Sequence, residues 1–168
     1  RFPVVKASRR ELEGAGVVIW TTTPWTIPGN RAIAYGEDIE YVVQKVTECG
    51  EECAYAVGDR FVVAKTLLAA FQEATGISGS TNVAKFKGVE LAGTVCAHPL
   101  RGKGYAFDVP LLPGDFVSEE DGTGFVHIAP GHGADDYNLG VANGIEVPQT
   151  VGEDGAFWVA FTIHGEKR

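Results

Sequence analysis

GTGFVHIAPGHGADDYNLG, Gly122 to Gly140, passes from a glycine turn through a short apolar strand and a second turn into an acidic helix. Asp121 to Gly124 reads as the first turn and Gly124 to Ala129 as a strand. Period-two alternation sets Phe125, His127 and Ala129 on one face, with Val126 and Ile128 on the other. Pro130-Gly131-His132-Gly133 forms the second turn. The helix predicted over Ala134 to Asn143 carries Asp135 and Asp136 in its first turn, where carboxylates suit the positive end of the helix dipole. Tyr137 and Val141 share an i, i+4 face of it. A strand that runs into a helix start, with its unpaired backbone amides, can enclose a small polar ligand. A lone histidine on a strand is more often structural, so His127 becomes a candidate through that neighbourhood.

The second stretch that carries chemistry is WTTTPWTIPGN, Trp20 to Asn30. A buried strand over Gly16 to Thr22 is predicted to deliver three hydroxyls, Thr21, Thr22 and Thr23, before Pro24 stops regular pairing. Alternation faces Thr21 and Thr23 one way and Thr22 the other, so two hydroxyls line one pocket. Pro24, Pro28 and Gly29 then force a tight path that presents Trp25, Thr26 and Asn30. Threonines in a strand are otherwise simply good β formers.

Outward from these segments, further β-rich runs recur at Pro3 to Lys6, Tyr41 to Val46, Cys53 to Val57, Arg60 to Ala64 and Asn82 to Lys87, separated by Gly, Asp, Asn or Pro. AKTLLAAFQEA, Ala64 to Ala74, places Leu67, Leu68 and Phe71 at helical spacing, with Gly76 as a stop signal. Many short strands, two helices and no regular βαβ alternation point to a β-rich α+β fold, a curved β-barrel decorated by a few helices.

At 168 residues, 45% hydrophobic and 21% charged, the chain reads as one domain spanning residues 1–168. It begins at Arg1 and contains no methionine, and so reads as a piece of a larger protein. No apolar run reaches the roughly 20 residues of a membrane span. Fourteen Lys and Arg against 22 Asp and Glu give a net charge of -8, which disfavours a stand-alone nucleic-acid binder. It leaves room for a domain that grips only the tip of an RNA. Three small basic clusters are candidate contacts: Lys6 with Arg9 and Arg10, Lys85 with Lys87, and Arg101 with Lys103. Three cysteines argue against a disulfide framework and for a reducing, cytoplasmic setting. Cys49, Cys53, Cys96 and His98 have the residue types of a zinc site but not the usual spacing, and the expectation is no metal.

WTTTPWT followed by PGN, and GTGFVHIAPGHG followed by DDY, resemble the two signature peptides of the isoleucyl-tRNA synthetase editing domain, in the same order. A looser likeness extends over AKFKGVELAG, Ala84 to Gly93, and VPQTVGEDG, Val147 to Gly155. The related valyl and leucyl domains typically carry arginine where Thr23 stands and another residue at His127, which favours the isoleucyl member. Gly29 and Phe125 stand where the family often has other small or apolar residues.

The resemblance implies an aminoacyl-tRNA deacylase inserted in an ATP-binding synthetase, cutting valine from the 3′ end of tRNA(Ile). A pocket built for isoleucine separates valine by one methylene, about 1–3 kcal/mol, a magnitude long attached to this very enzyme family rather than derived from this chain. A second, smaller pocket supplies the missing fidelity. By resemblance Thr21, Thr22, Thr23 and Asp136 form the catalytic set, with Asp136 holding the α-ammonium. Trp20, Trp25, Asn30, His127, Gly131 and His132 contact the substrate or shape its loop, and His127 gauges its size. No nucleophile-base pair is evident, so bound water is the expected attacker, without a cofactor. The implied partners are the charged tRNA and the catalytic and anticodon-binding domains of the parent chain. Three other readings share the residues: a valyl-type domain acting on threonyl-tRNA, a metal site of His127, His132, Asp135 and Asp136, and a non-catalytic tRNA-end binding module.

Overall fold

The computed structural model describes residues 1–147, so the tail of the expected likeness, in VPQTVGEDG, lies outside the described residues. Among the described residues there are nine strands: β1 (Phe2–Lys6), β2 (Ala15–Val17), β3 (Ala32–Tyr35), β4 (Glu40–Cys49), β5 (Arg60–Ala64), β6 (Ile77–Lys87), β7 (Val95–Ala97), β8 (Asp108–Pro113) and β9 (Phe125–Ile128). Two α-helices accompany them, α1 (Leu68–Thr75) and α2 (Ala134–Ala142), with short 3₁₀ turns between. The strands form one mixed sheet in the order β6-β4-β5-β2-β1-β7-β8-β3-β9. β2 with β5 and β3 with β8 pair parallel, and the other neighbours antiparallel.

The expected β-rich fold with a few helices is present, but the curved β-barrel is corrected to an open sheet with two free edges, β6 and β9, among the described residues. The turn before β9 approaches the end of β5 without pairing as a strand. A single backbone bond, Ala64 N–H to Thr123 O at 2.8 Å, joins them. The approach depends on Gly124, at φ +77°, where a Cβ would lie 2.4 Å from Ala64 Cβ.

The same turn corrects the strand expected over Gly16 to Thr22, which stops at Val17. Val17 still pairs with Phe2 and Val62, but the Val18 carbonyl accepts the Thr123 hydroxyl at 2.6 Å. That bond diverts the chain from the ladder and frees Ile19 to Thr23 to leave the sheet. Cys53 to Val57, expected as a strand, is a turn, pinned by Ala54 N–H to Thr75 O and Asp59 N–H to Ala56 O.

β4 is buried on both sides. Tyr41 and Val43 enter the main core with Phe2, Ile33, Val62 and Phe125, whereas Val42 and Val46 lie under α1 with Phe61 and Phe71. Helix α1 ends at Gly76, whose φ of +72° gives the left-handed cap that its position announced. A third cluster, Ala32, Ala34 and Ile128, packs Leu139 of α2 onto the β3–β9 end of the sheet.

The buried Tyr41 hydroxyl accepts the Gly36 N–H at 3.0 Å and donates to Gly124 O at 2.6 Å, and burial pushes its pKa up. Tyr41→Phe orphans both backbone groups and is expected to cost about 1–3 kcal/mol. Urea unfolding measures it, and a midpoint equal to wild type would show that neither bond matters.

Candidate active site

Beyond Val18 the chain leaves the sheet as the threonine segment. The Thr21 hydroxyl accepts the Thr23 N–H at 3.0 Å and lies 3.1 Å from the Thr23 hydroxyl. This local turn places Thr21 and Thr23 on one side, as alternation anticipates, although no strand is present. A 3₁₀ turn over Pro24–Gly29 follows, with its two prolines contributing no N–H.

Thr21, Thr23 and Thr26, with Trp20, line a cavity of about 260 Å³ whose other wall is Val126, His127, Ala129, His132, Gly133 and Asp136. It is smaller than the roughly 300–1,000 Å³ clefts that take drug-sized ligands. Of the residues singled out from sequence, Trp20, Thr21, Thr23, His127, His132 and Asp136 meet here. Thr22 and Gly131 are exposed and do not line the cavity. Trp25 is 62% exposed, as is Trp20. Asn30 lies fully buried behind His127. Thr26, Val126, Ala129 and Gly133 complete the lining. Thr26 was visible in the loop, but its partner sits 101 residues away, beyond any local pattern.

The hydrogen bonds fix the state of His127. Asn30 Nδ2 donates to Ala32 O at 2.8 Å and to His127 Nδ1 at 3.1 Å. The opposite amide orientation would set Oδ1 against the Ala32 carbonyl. Nδ1 is thus an acceptor, so the proton sits on Nε2 and is donated to Thr26 Oγ1 at 2.9 Å. The Thr26 hydroxyl in turn donates a hydrogen bond to Thr23 O at 2.8 Å. Burial lowers the His127 pKa, against an opposing pull from Asp136 and with a push from His132 in the same downward direction. His127 is therefore a neutral ring with both nitrogens engaged, suited to forming a wall rather than to taking a proton from water.

Asp136 reaches back from the first turn of α2 and accepts the Ala129 N–H on Oδ2 at 2.7 Å, clamping the end of β9 to the helix. A Cβ at Gly133 would fall 3.1 Å from Asp136 Oδ1, so glycine there leaves that oxygen room.

Cys49 and Cys53 sit together near α1, while Cys96 belongs to the main core and His98 spends both ring nitrogens on backbone groups. No group of three or more His, Cys, Asp or Glu suited to a metal occurs among the described residues, including around His127, His132, Asp135 and Asp136. The basic clusters are partly spoken for: Arg9 pairs with Glu90 and Glu11, Lys85 with Glu40, and Arg101 with Asp108, while Lys87 donates to Asp38 O. No described helix is long and apolar enough to cross a membrane.

No family model matches the chain. In sequence it is similar to the isoleucine-tRNA ligase of Gluconobacter oxydans (strain 621H), 51% identical over 162 residues covering 94% of this chain and 17% of that protein. It is 44% identical over 156 residues to the isoleucine-tRNA ligase of Pelagibacter ubique (strain HTCC1062), covering 93% and 17% respectively. The chain thus spans 17% of the length of these curated relatives. In fold it is similar to the P. knowlesi cytosolic leucyl-tRNA synthetase editing domain, with a TM-score of 0.59 and 16% identity over 76% of this chain and 51% of that one. The corresponding P. falciparum editing domain also gives 0.59, with 16% identity over 75% and 45%.

Proposed function

The chain is homologous to a domain-sized segment of the isoleucine-tRNA ligases, and from that premise we propose that it is an editing hydrolase. In this reading it releases valine from the 3′ end of mischarged tRNA(Ile) by attack of water on the aminoacyl ester, and excludes isoleucine by size. It works as one domain of a longer cytoplasmic ligase, beside catalytic and anticodon-binding domains, and needs no cofactor of its own. The observation that carries the reading is the small recess in which a carboxylate, a neutral imidazole and two threonine hydroxyls converge.

Each group has a chemical task. Asp136, with Oδ2 already committed to Ala129, offers its charge to the α-ammonium and so orients the ester carbonyl. His127 closes the side-chain end of the recess as an uncharged, immobile wall. Thr21 and Thr23 present hydroxyls that hold the attacking water and the adenosine ribose, with Thr22 at the outer edge of the same segment. The exposed faces of Trp20 and Trp25 suit stacking against the terminal base. Gly131 and His132 shape the turn that delivers α2, and Asn30 supports His127 from behind. An aminoacyl ester is already activated, so positioning and stabilisation of the developing oxyanion can carry the reaction without a covalent intermediate.

The test is release of valine and of isoleucine esterified to tRNA(Ile), measured side by side on the full-length ligase with its synthetic site disabled. Valine is expected to leave at least about tenfold faster, the scale of one methylene. Equal rates would remove the size sieve, and binding of charged tRNA without turnover would make the chain a tRNA-end module.

A further inference from the structure

His98 lies just past β7, 1% exposed, in a cage of aromatic rings. Tyr105 stacks on it at 4.8 Å, Phe107 tilts against it at 5.2 Å and Phe2 meets it edge-on at 6.1 Å. Its Nδ1 accepts the Leu100 N–H at 3.1 Å, so the proton is on Nε2, which donates to Ile27 O at 2.9 Å. Ile27 belongs to the turn Pro24–Gly29, whose two prolines carry no N–H. Its carbonyl also accepts the Asn30 N–H at 3.0 Å. One carbonyl thus joins the caged imidazole to the residue whose side chain holds His127. Arg31 reinforces the same stretch, donating to Asn30 O at 2.7 Å while its guanidinium lies 4.2 Å from the Phe107 ring centre.

We propose that His98 is a positioning residue for the recess: through the Ile27 carbonyl its Nε2–H seats the Thr23–Asn30 segment, and with it the ring of His127. The proposal rests on the editing reading for its readout. His98 is not among the residues that line the substrate recess and reaches it through that backbone link. The cage also requires the neutral ring. A proton on Nδ1 would face the Leu100 N–H, and the Arg31 guanidinium nearby opposes a second positive charge, as would His127 were it protonated. Burial is the main force holding its pKa down.

Two near-isosteric variants of the full-length ligase separate a seat from mere filling. His98→Gln keeps a donor at the Nε2 position, and His98→Asn keeps only the acceptor near Nδ1. With valyl- and isoleucyl-tRNA(Ile) as probes, His98→Asn is expected to lower the valine-to-isoleucine ratio of kcat/KM about tenfold, the scale of one buried hydrogen bond, while His98→Gln stays near wild type. Below the ordinary histidine range wild type, with two such rings, is expected to lose discrimination more steeply than His98→Gln, in which only His127 is left to titrate. This pH comparison decides the matter even if His98→Asn fails to fold. Asn and Gln variants that behave alike, or parallel pH profiles, would overturn the positioning role. A wild-type ligase that cuts neither ester would instead overturn the editing reading.

Discussion

Asp136→Ala is expected to lower kcat/KM for hydrolysis of valyl-tRNA(Ile) by about 100-fold, from loss of a charge-assisted contact worth about 1.5–3 kcal/mol. The structure gives the carboxylate two duties that alanine removes together. Oδ2 holds the Ala129 amide, which ties β9 to α2, and the charge faces the recess. Asp136→Asn separates them, because an amide oxygen still accepts from Ala129 while the charge is gone. Both variants are expected to fold, Asp136→Asn with near-wild-type stability and Asp136→Ala about 1 kcal/mol weaker. Thermal unfolding and time-resolved deacylation measure the two duties independently. Full turnover by a folded Asp136→Asn would show that no ammonium is held there, and the role would pass to another group in the cavity.

The parts of this architecture that sequence reveals are those written in local periodicity. β1, β4, β5, β9 and both helices show their alternation, their i, i+4 faces or their stop signals, and lie within a few residues of where the pattern puts them. β3 escapes because all four of Ala32 to Tyr35 are buried, which erases the polar half of the alternation. β7 is three residues long, and β8 contains Pro110 and Pro113, which mask a strand even though it pairs on both sides. The early end of β2 depends on a hydroxyl 105 residues away, the Thr123 side chain on Val18 O. In the recess, sequence brings Thr21 and Thr23 to one side and puts His127 beside Asp136. It leaves the Thr26–His127–Asn30 relay hidden, because each link joins residues about a hundred positions apart. His98 has the residue type of a ligand when read beside Cys96, and only its cage of Phe2, Tyr105 and Phe107 shows where its nitrogens are spent.

His127→Ala is expected to turn isoleucyl-tRNA(Ile) into a substrate and to lower the valine-to-isoleucine ratio of kcat/KM by at least about tenfold, within the 1–3 kcal/mol that one methylene commands. The relay explains why a single ring sets the limit. Asn30 holds Nδ1 and Thr26 holds Nε2, so the imidazole cannot swing aside to admit a longer side chain. Alanine deletes the ring and also leaves Thr26 Oγ1 and one Asn30 N–H without their partner, at a cost of about 1–3 kcal/mol in stability unless water enters the space. Hydrolysis of the valyl ester itself is expected to fall far less than in Asp136→Ala, since no ring nitrogen is available to act on the reacting water. Side-by-side rates on the two esters decide the matter. A folded His127→Ala that still rejects isoleucine as wild type does would mean that the gauge is another wall of the recess, with Val126 or Ala129 next in line.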